Sequence, residues 1–392
     1  MTTNHPKARH VAGTVSPGFE VVQEAFEDNF ADRGEVGAAF AATLNGTMVV
    51  DLWGGVADSS TGRMWAADTA GVIFSGTKAL VGLCLLMLAD RGVLDLHGRV
   101  SDYWPEFAAH GKEDVRVIDL ASHRARLPGL RERVTEDDFT DDVRLAALLA
   151  AQPQEADPRG GNVYHAFTFG WLCGEVVRRV DGRSVGEFFA QEVARPLGLD
   201  TWIGLPSELE DRVARLEHAS NWGAGAMWDP AALARDELLE RVWHNPPDLA
   251  PAHMPWNRTD WHQAEIPAAG AISTARSLAR LYGCLAAGGQ DNGIQLLSED
   301  TLRVGRTVVT RRVDPLLDEP GAFGVGFELQ THLNVFGPPA DAFGHTGAGG
   351  SVHCAWPSSG IGLSYVMNEM RDDMPVDPRG KALVAALHAA IT

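Results

Sequence analysis

A chain of 392 residues with 45% hydrophobic content has ample material for a large core, and its length alone fits two or three domains. The formal net charge of −19 leaves no cationic surplus to offset phosphate repulsion, which argues against a nucleic-acid partner. Cys84, Cys173, Cys284 and Cys354 lie far apart with no CxxC pair, so they read as buried free thiols in a reducing compartment rather than a zinc site or disulfide framework.

From the N-terminus, Met1 to Pro17 is polar and has no apolar h-region, so no secretory signal is expected. The longest apolar run, Ala79–Ala89, is too short to cross a bilayer. These features predict a cytoplasmic protein without a membrane partner. Residues 18–33 place Phe19, Val22, Ala25 and Phe26 at helical spacing. Residues 36–55 read as a hairpin, with Gly37–Leu44 and Thr47–Trp53 joined at Asn45-Gly46, a strong short-range hairpin signal.

The next segment carries chemistry. Ser75-Gly76-Thr77-Lys78 opens a helical run and sets a hydroxyl and an amine one turn apart on the same face. The apolar residues that follow can desolvate the amine and lower its pKa from the usual value of about 10.4. A neutral lysine could then accept the serine proton and make the serine a nucleophile. By itself Ser-x-x-Lys is a weak signal.

The helical pattern continues, with loops, to about residue 310. Tyr164 falls in Gly160-Gly161-Asn162-Val163-Tyr164-His165, just before a helical run at Thr168–Val180. It could share a proton with Lys78 and Ser75, or pack at a domain boundary. Gly182-Arg183-Ser184-Val185-Gly186 matches the G-x-S-x-G nucleophile elbow, but that motif needs a strand before the serine and here a helix precedes it. Ser184 and Glu187 instead fit a capping box that opens the next helix. The loop 224–262 holds Trp228, Trp243, Trp256 and Trp261, with Trp222 just before it, and five prolines. So many aromatics argue against disorder. They either wall a pocket or pin the loop to the body.

Strand character returns at Gly324–Leu333, Ala342–His345, Gly350–Trp356 and Gly360–Met367, followed by a helix from about Asp377 to Ile391. The glycine-rich stretch His345-Thr346-Gly347-Ala348-Gly349-Gly350 could let backbone amides approach an oxyanion, or could be a turn between strands. Strands at both ends around a long helical middle predict an α/β chain of the α+β type. Residues 1–74 and 310–392 would form a sheet-containing domain and residues 75–309 an inserted, mainly helical one. The site is expected in the cleft between them.

Taken together and in this order, these segments resemble the serine β-lactamase and penicillin-binding-protein superfamily, in particular the family VIII carboxylesterases of class C β-lactamase-like fold. The resemblance spans nearly the whole chain. Its Ser-x-x-Lys motif is Ser75-Gly76-Thr77-Lys78, its Tyr-x-Asn motif falls on Tyr164-His165-Ala166, and its Lys-Thr-Gly motif falls on His345-Thr346-Gly347. Leu120-Ala121-Ser122-His123, Leu127-Pro128-Gly129 and Arg195-Pro196-Leu197-Gly198-Leu199 are similar landmarks. The resemblance implies Ser75 as acylated nucleophile, Lys78 and Tyr164 as proton carriers, and an oxyanion hole from the amides of Ser75 and Ala348. It leaves open which of Lys78 and Tyr164 is the acylation base. It also implies His345, Thr346 and Gly347 as substrate-binding residues and no metal or other cofactor; Trp228 and Trp256 of the aromatic loop are expected to join them in binding substrate.

Two departures matter. Ala166 stands where the family has an asparagine amide, and His345 where it has a lysine. Histidine is largely neutral near pH 7. An anionic lactam would use both missing groups, whereas a neutral ester needs neither. The expected activity is therefore hydrolysis of short to medium carboxylic esters through an acyl-enzyme. The alternatives are an amidase or D-aminopeptidase, a weak β-lactamase, or a catalytically silent binding protein. The partner expected is a small-molecule ester; the sequence does not fix the oligomeric state.

Overall fold

The computed structural model describes residues 11–161, 163–223, 228–246, 254–372 and 376–392. Of the features noted above, residues 1–10, Asn162, the stretch 224–227, Pro247 and Pro251 lie outside the described residues.

One antiparallel sheet is built from both chain ends. Its strands are β1 (Val11–Val15), β2 (Gly37–Leu44), β3 (Thr47–Asp58), β4 (Thr310–Asp314), β5 (Glu319–Phe323), β6 (Glu328–Leu329), β7 (Phe343–Thr346), β8 (Val352–Trp356) and β9 (Ile361–Met367). They run in the order β1-β3-β2-β9-β8-β7-β6-β5-β4, and Arg63–Met64 adds a short pairing to β3. The β2–β3 hairpin turns at Asn45 and Gly46 with φ of 49° and 78°, the left-handed pair that a two-residue hairpin requires.

Helix α1 (Glu20–Asp32) and the C-terminal helix α5 (Pro378–Ile391) cover one face of this sheet. Phe26 and Phe30 of α1 meet edge to face at 5.3 Å, above Phe40, Leu363 and Tyr365. The other face packs on α2 (Gly76–Asp90) and α4 (Ala275–Ala286), with α3 (Thr168–Asp181) beyond α2. Every residue of β9 is buried because both faces are covered. Gly362 of β9 has α4 so close that a Cβ there would lie 2.0 Å from the Gly283 nitrogen. Helix α2 is buried on nearly all sides, from Gly76 to Leu88, which accounts for its apolar run.

One expectation needs correction. The stretch Gly324–Leu333 is not one strand. Residues 324–327 turn back, with Gly324 N–H donating to the Phe327 carbonyl and Gly326 N–H to Ala121, and Gly326 adopts φ 73°. That turn is pressed onto α2 at Gly82, where a Cβ would sit 2.5 Å from the Val325 carbonyl oxygen. Helix contact has overridden strand propensity. The mainly helical middle of the chain also carries short strands. Gly71–Val72, Ala271–Ser273 and Thr201–Ile203 form a small antiparallel sheet, and Glu217–His218 pairs in parallel with Glu369–Met370. Among the described residues no helix is long and apolar enough to cross a membrane.

Candidate active site

The site begins where the chain enters α2. Phe74 holds φ 44°, an unfavourable conformation for a bulky aromatic residue and one typical of functional turns. Its ring rests edge to face on Trp256 at 5.1 Å. Ser75 follows as the N-cap, and one turn later the Lys78 Nζ lies 3.1 Å from its Oγ. The same amine donates to the Ala268 carbonyl at 2.9 Å and sits 4.8 Å from the centre of the Tyr164 ring.

Lys78 is fully buried, with no carboxylate in salt-bridge contact among the described residues. Burial drives its pKa well below the ordinary lysine range, with Cys173 and Glu328 opposing. The Tyr164 phenol moves the other way. Burial pushes it up, opposed by the neighbouring Ser75 hydroxyl. The amine is therefore the group of this pair that can be neutral and accepting near pH 7.

Tyr164 is fixed by residues that the sequence reading did not single out. Its backbone N–H donates to Asp314 Oδ2 at 2.5 Å, and Arg312 donates to the Val163 carbonyl at 3.0 Å. The His123 ring lies 4.5 Å from the Tyr164 ring and its Nδ1 accepts the His165 N–H. His165 Nε2 in turn accepts the Leu127 N–H at 3.2 Å. His123 and Leu127 lie in the landmark segments quoted above, while Asp314 and Arg312 carry no sequence signal because they meet the Tyr164 loop only through contacts about 150 residues apart along the chain. Ala166 is buried and contributes only a methyl group to the cleft wall.

Strand β7 brings up the other side. Gly347 lies so close to the segment before Ser75 that a Cβ would be 2.4 Å from the Ile73 carbonyl oxygen. Only glycine permits that approach, and it seats Ala348 beside Ser75 on the cleft wall. Neither the Ser75 nor the Ala348 amide has a backbone acceptor among the described residues.

Of the residues expected to bind substrate, Trp228 and Trp256 are among the described residues that line the cleft, and His345, Thr346 and Gly347 are not. His345 is 3% exposed and lies behind Tyr164, its Nε2 3.5 Å from the phenol oxygen. Burial, with Lys78 adding to it, pushes its pKa down to about 3, so the ring is neutral. Thr346 gives its Oγ1–H and its N–H to Glu328 Oε2, at 2.8 and 3.0 Å. Gly347 acts through its closeness to Ile73.

The cleft itself encloses about 80 Å³ and is walled by aromatic and apolar groups. Trp228 and Trp256 line it, as do Trp222, Trp243, Phe167 and Met254. Trp261 does not; it is buried and stacks on Phe139 at 5.3 Å. The tryptophan-rich loop therefore both walls the pocket and pins itself to the body. Among the described residues, no lysine, arginine, aspartate or glutamate lines it. The described residues contain no cluster of three or more potential metal ligands.

Ser184 takes no part in this site. It caps Val185–Phe189 in a reciprocal box with Glu187, and its Oγ–H donates to Glu265 at 2.5 Å. Helix α3, not a strand, precedes it. The four cysteines are buried and unpaired.

Comparison with known proteins gives a consistent result. The family model described as Beta-lactamase matches residues 22–386. The esterase/beta-lactamase LipL of Mycobacterium tuberculosis (strain ATCC 25618 / H37Rv) is 36% identical over 386 residues, covering 92% of this chain and 84% of that protein. A crystal structure of a family VIII carboxylesterase superposes with a TM-score of 0.88 at 38% identity, covering 97% of this chain and 100% of the other. A penicillin-binding protein homolog from Caulobacter crescentus superposes at 0.87 with 36% identity and the same coverage. With this fold and these relatives, the chain belongs to the Beta-lactamase family and is a serine hydrolase of that superfamily.

Proposed function

We propose that the protein is a carboxylesterase that hydrolyses short to medium, uncharged carboxylic esters through an acyl-enzyme on Ser75. The observation that carries this reading is the wall of the cleft: indoles, two phenyl rings and methionines, with no lysine or arginine among the described lining residues to meet a substrate carboxylate. An enclosed volume of about 80 Å³ corresponds to roughly half a dozen water-sized groups at 10–15 Å³ each. That suits a short acyl chain.

In this mechanism Lys78, kept neutral by burial, takes the Ser75 proton as Oγ attacks the ester carbonyl carbon. The amides of Ser75 and Ala348 receive the developing oxyanion. Tyr164 passes its proton to the departing alkoxide and is refilled from Lys78. Water then releases the acid by the reverse path. Similarity to the Mycobacterium tuberculosis esterase/beta-lactamase and to the family VIII carboxylesterase supports ester chemistry, and the former's name also favours β-lactam hydrolysis as the second reading.

One panel tests both. Values of kcat/KM for nitrophenyl esters from acetate to octanoate should exceed those for nitroanilides and nitrocefin by orders of magnitude, with the optimum at short acyl length. Nitrocefin turnover equal to the best ester would replace the esterase reading with the β-lactamase one.

A further inference from the structure

The hydrogen bonds around His345 fix its tautomer. Its Nδ1 lies 2.7 Å from the Thr346 carbonyl oxygen, which can only accept, so Nδ1 carries the proton. The Glu328 carboxylate 3.7 Å from the same nitrogen favours the same tautomer. That carboxylate is held by Thr346 N–H and Oγ–H. The other nitrogen, Nε2, is then a bare lone pair, and the atom it faces is the Tyr164 hydroxyl at 3.5 Å. Such contacts in an unliganded site commonly tighten when substrate binds.

The Tyr164 phenol has one proton, and among the described residues His345 Nε2 is the acceptor set within hydrogen-bond range of it. A proton directed at Ser75 would occupy a lone pair of the nucleophile. We infer that His345 is a positioning residue: it draws the Tyr164 proton away from Ser75 in the resting enzyme and holds it, on the phenol, ready for the leaving alkoxide. A lysine at this position would donate to the phenol oxygen, so the histidine reverses the direction of the hydrogen bond. The proton count closes: Ser75 gives its proton to Lys78, Tyr164 gives its own to the alcohol, and the Lys78 ammonium restores the phenol. His345 carries no proton in transit, and Glu328 acts only by fixing the ring.

This inference rests on the ester reading, and the leaving group separates the two. His345→Asn keeps a donor at the position of Nδ1 but stops short of Tyr164; His345→Gln reaches the position of Nε2 and can still accept. Ethyl butyrate and p-nitrophenyl butyrate give the same acyl-enzyme, but only the ethyl ester needs a proton on its departing oxygen. For H345N we expect kcat/KM to fall roughly three- to tenfold with ethyl butyrate, the worth of one neutral hydrogen bond, and less than twofold with the nitrophenyl ester. H345Q should recover most of the ethyl ester activity. A merely structural role predicts equal losses on both esters and no rescue, and that result, or an unchanged H345N, overturns the inference while leaving the ester reading intact. Wild type inert towards both esters overturns both. Should H345N fail to fold, H345Q decides alone: a folded H345Q that loses both activities equally refutes the assignment.

Discussion

Replacing Lys78 by Met tests the protonation state on which the mechanism depends, and it does so through stability rather than rate. The side chain is fully buried, and burial holds its pKa well below the ordinary value. In the unfolded chain the same amine titrates near 10.4. Between those two values the unfolded state binds one proton more than the folded state, so this group's contribution to folding stability rises with pH. The stability is fully present above the unfolded pKa and is lost as pH falls towards the folded one. The slope is about 1.4 kcal/mol per pH unit wherever the folded amine is neutral and the unfolded one charged. Met fills similar volume without a charge, although it gives up the bonds to Ser75 Oγ and the Ala268 carbonyl, about 0.5–1.5 kcal/mol each. That loss does not vary with pH, and the remaining titrating groups are common to both proteins. Urea unfolding at pH 7, 8 and 9 should therefore show wild type gaining on K78M as pH rises, by about 1.4 kcal/mol per unit over the range in which the folded amine is neutral, while K78M is inactive throughout. Parallel stability curves would mean that Lys78 is charged in the folded protein, and would remove it as the base.

Ser75→Ala should abolish both turnover and labelling by a fluorophosphonate; Ser184→Ala should stay active and lose about 0.5–2 kcal/mol as a cap deletion. An inactive but folded S184A, with S75A still active, would move the nucleophile to Ser184. Gly82→Ala should destabilise by about 1–3 kcal/mol, because its Cβ would lie 2.5 Å from the Val325 carbonyl oxygen and 2.7 Å from the Gly326 Cα, neither of which can rotate away. A neutral result in urea unfolding would contradict the packing of the 324–327 turn on α2. Trp256→Ala should lengthen the preferred acyl chain. At about 0.8 kcal/mol per buried methylene, room for two more corresponds to roughly tenfold in the hexanoate-to-butyrate ratio of kcat/KM. An unchanged ratio would take Trp256 out of the acyl pocket.

Features set by neighbours in the chain were legible in the sequence. Asn45-Gly46 specifies its own turn, so the hairpin at Gly37–Leu44 and Thr47–Trp53 could be read directly, and the second strand runs on to Asp58. The Ser75–Lys78 contact follows from one helical turn, and the Ser184–Glu187 box from the geometry of a helix start. What depended on distant segments could not be read this way. The stretch 324–333 has strand propensity, but contact with Gly82 folds part of it into a turn. His345 was legible as a lysine replacement. Only the long-range β6–β7 pairing, which sets Glu328 beside Thr346, and the approach of the Tyr164 loop turn its lone pair towards the phenol. Residue types and local spacing determined which groups were available for the chemistry. The tertiary structure decided their protonation and direction, because desolvation and hydrogen-bond partners come from segments up to 190 residues apart along the chain, as with Lys78 and Ala268.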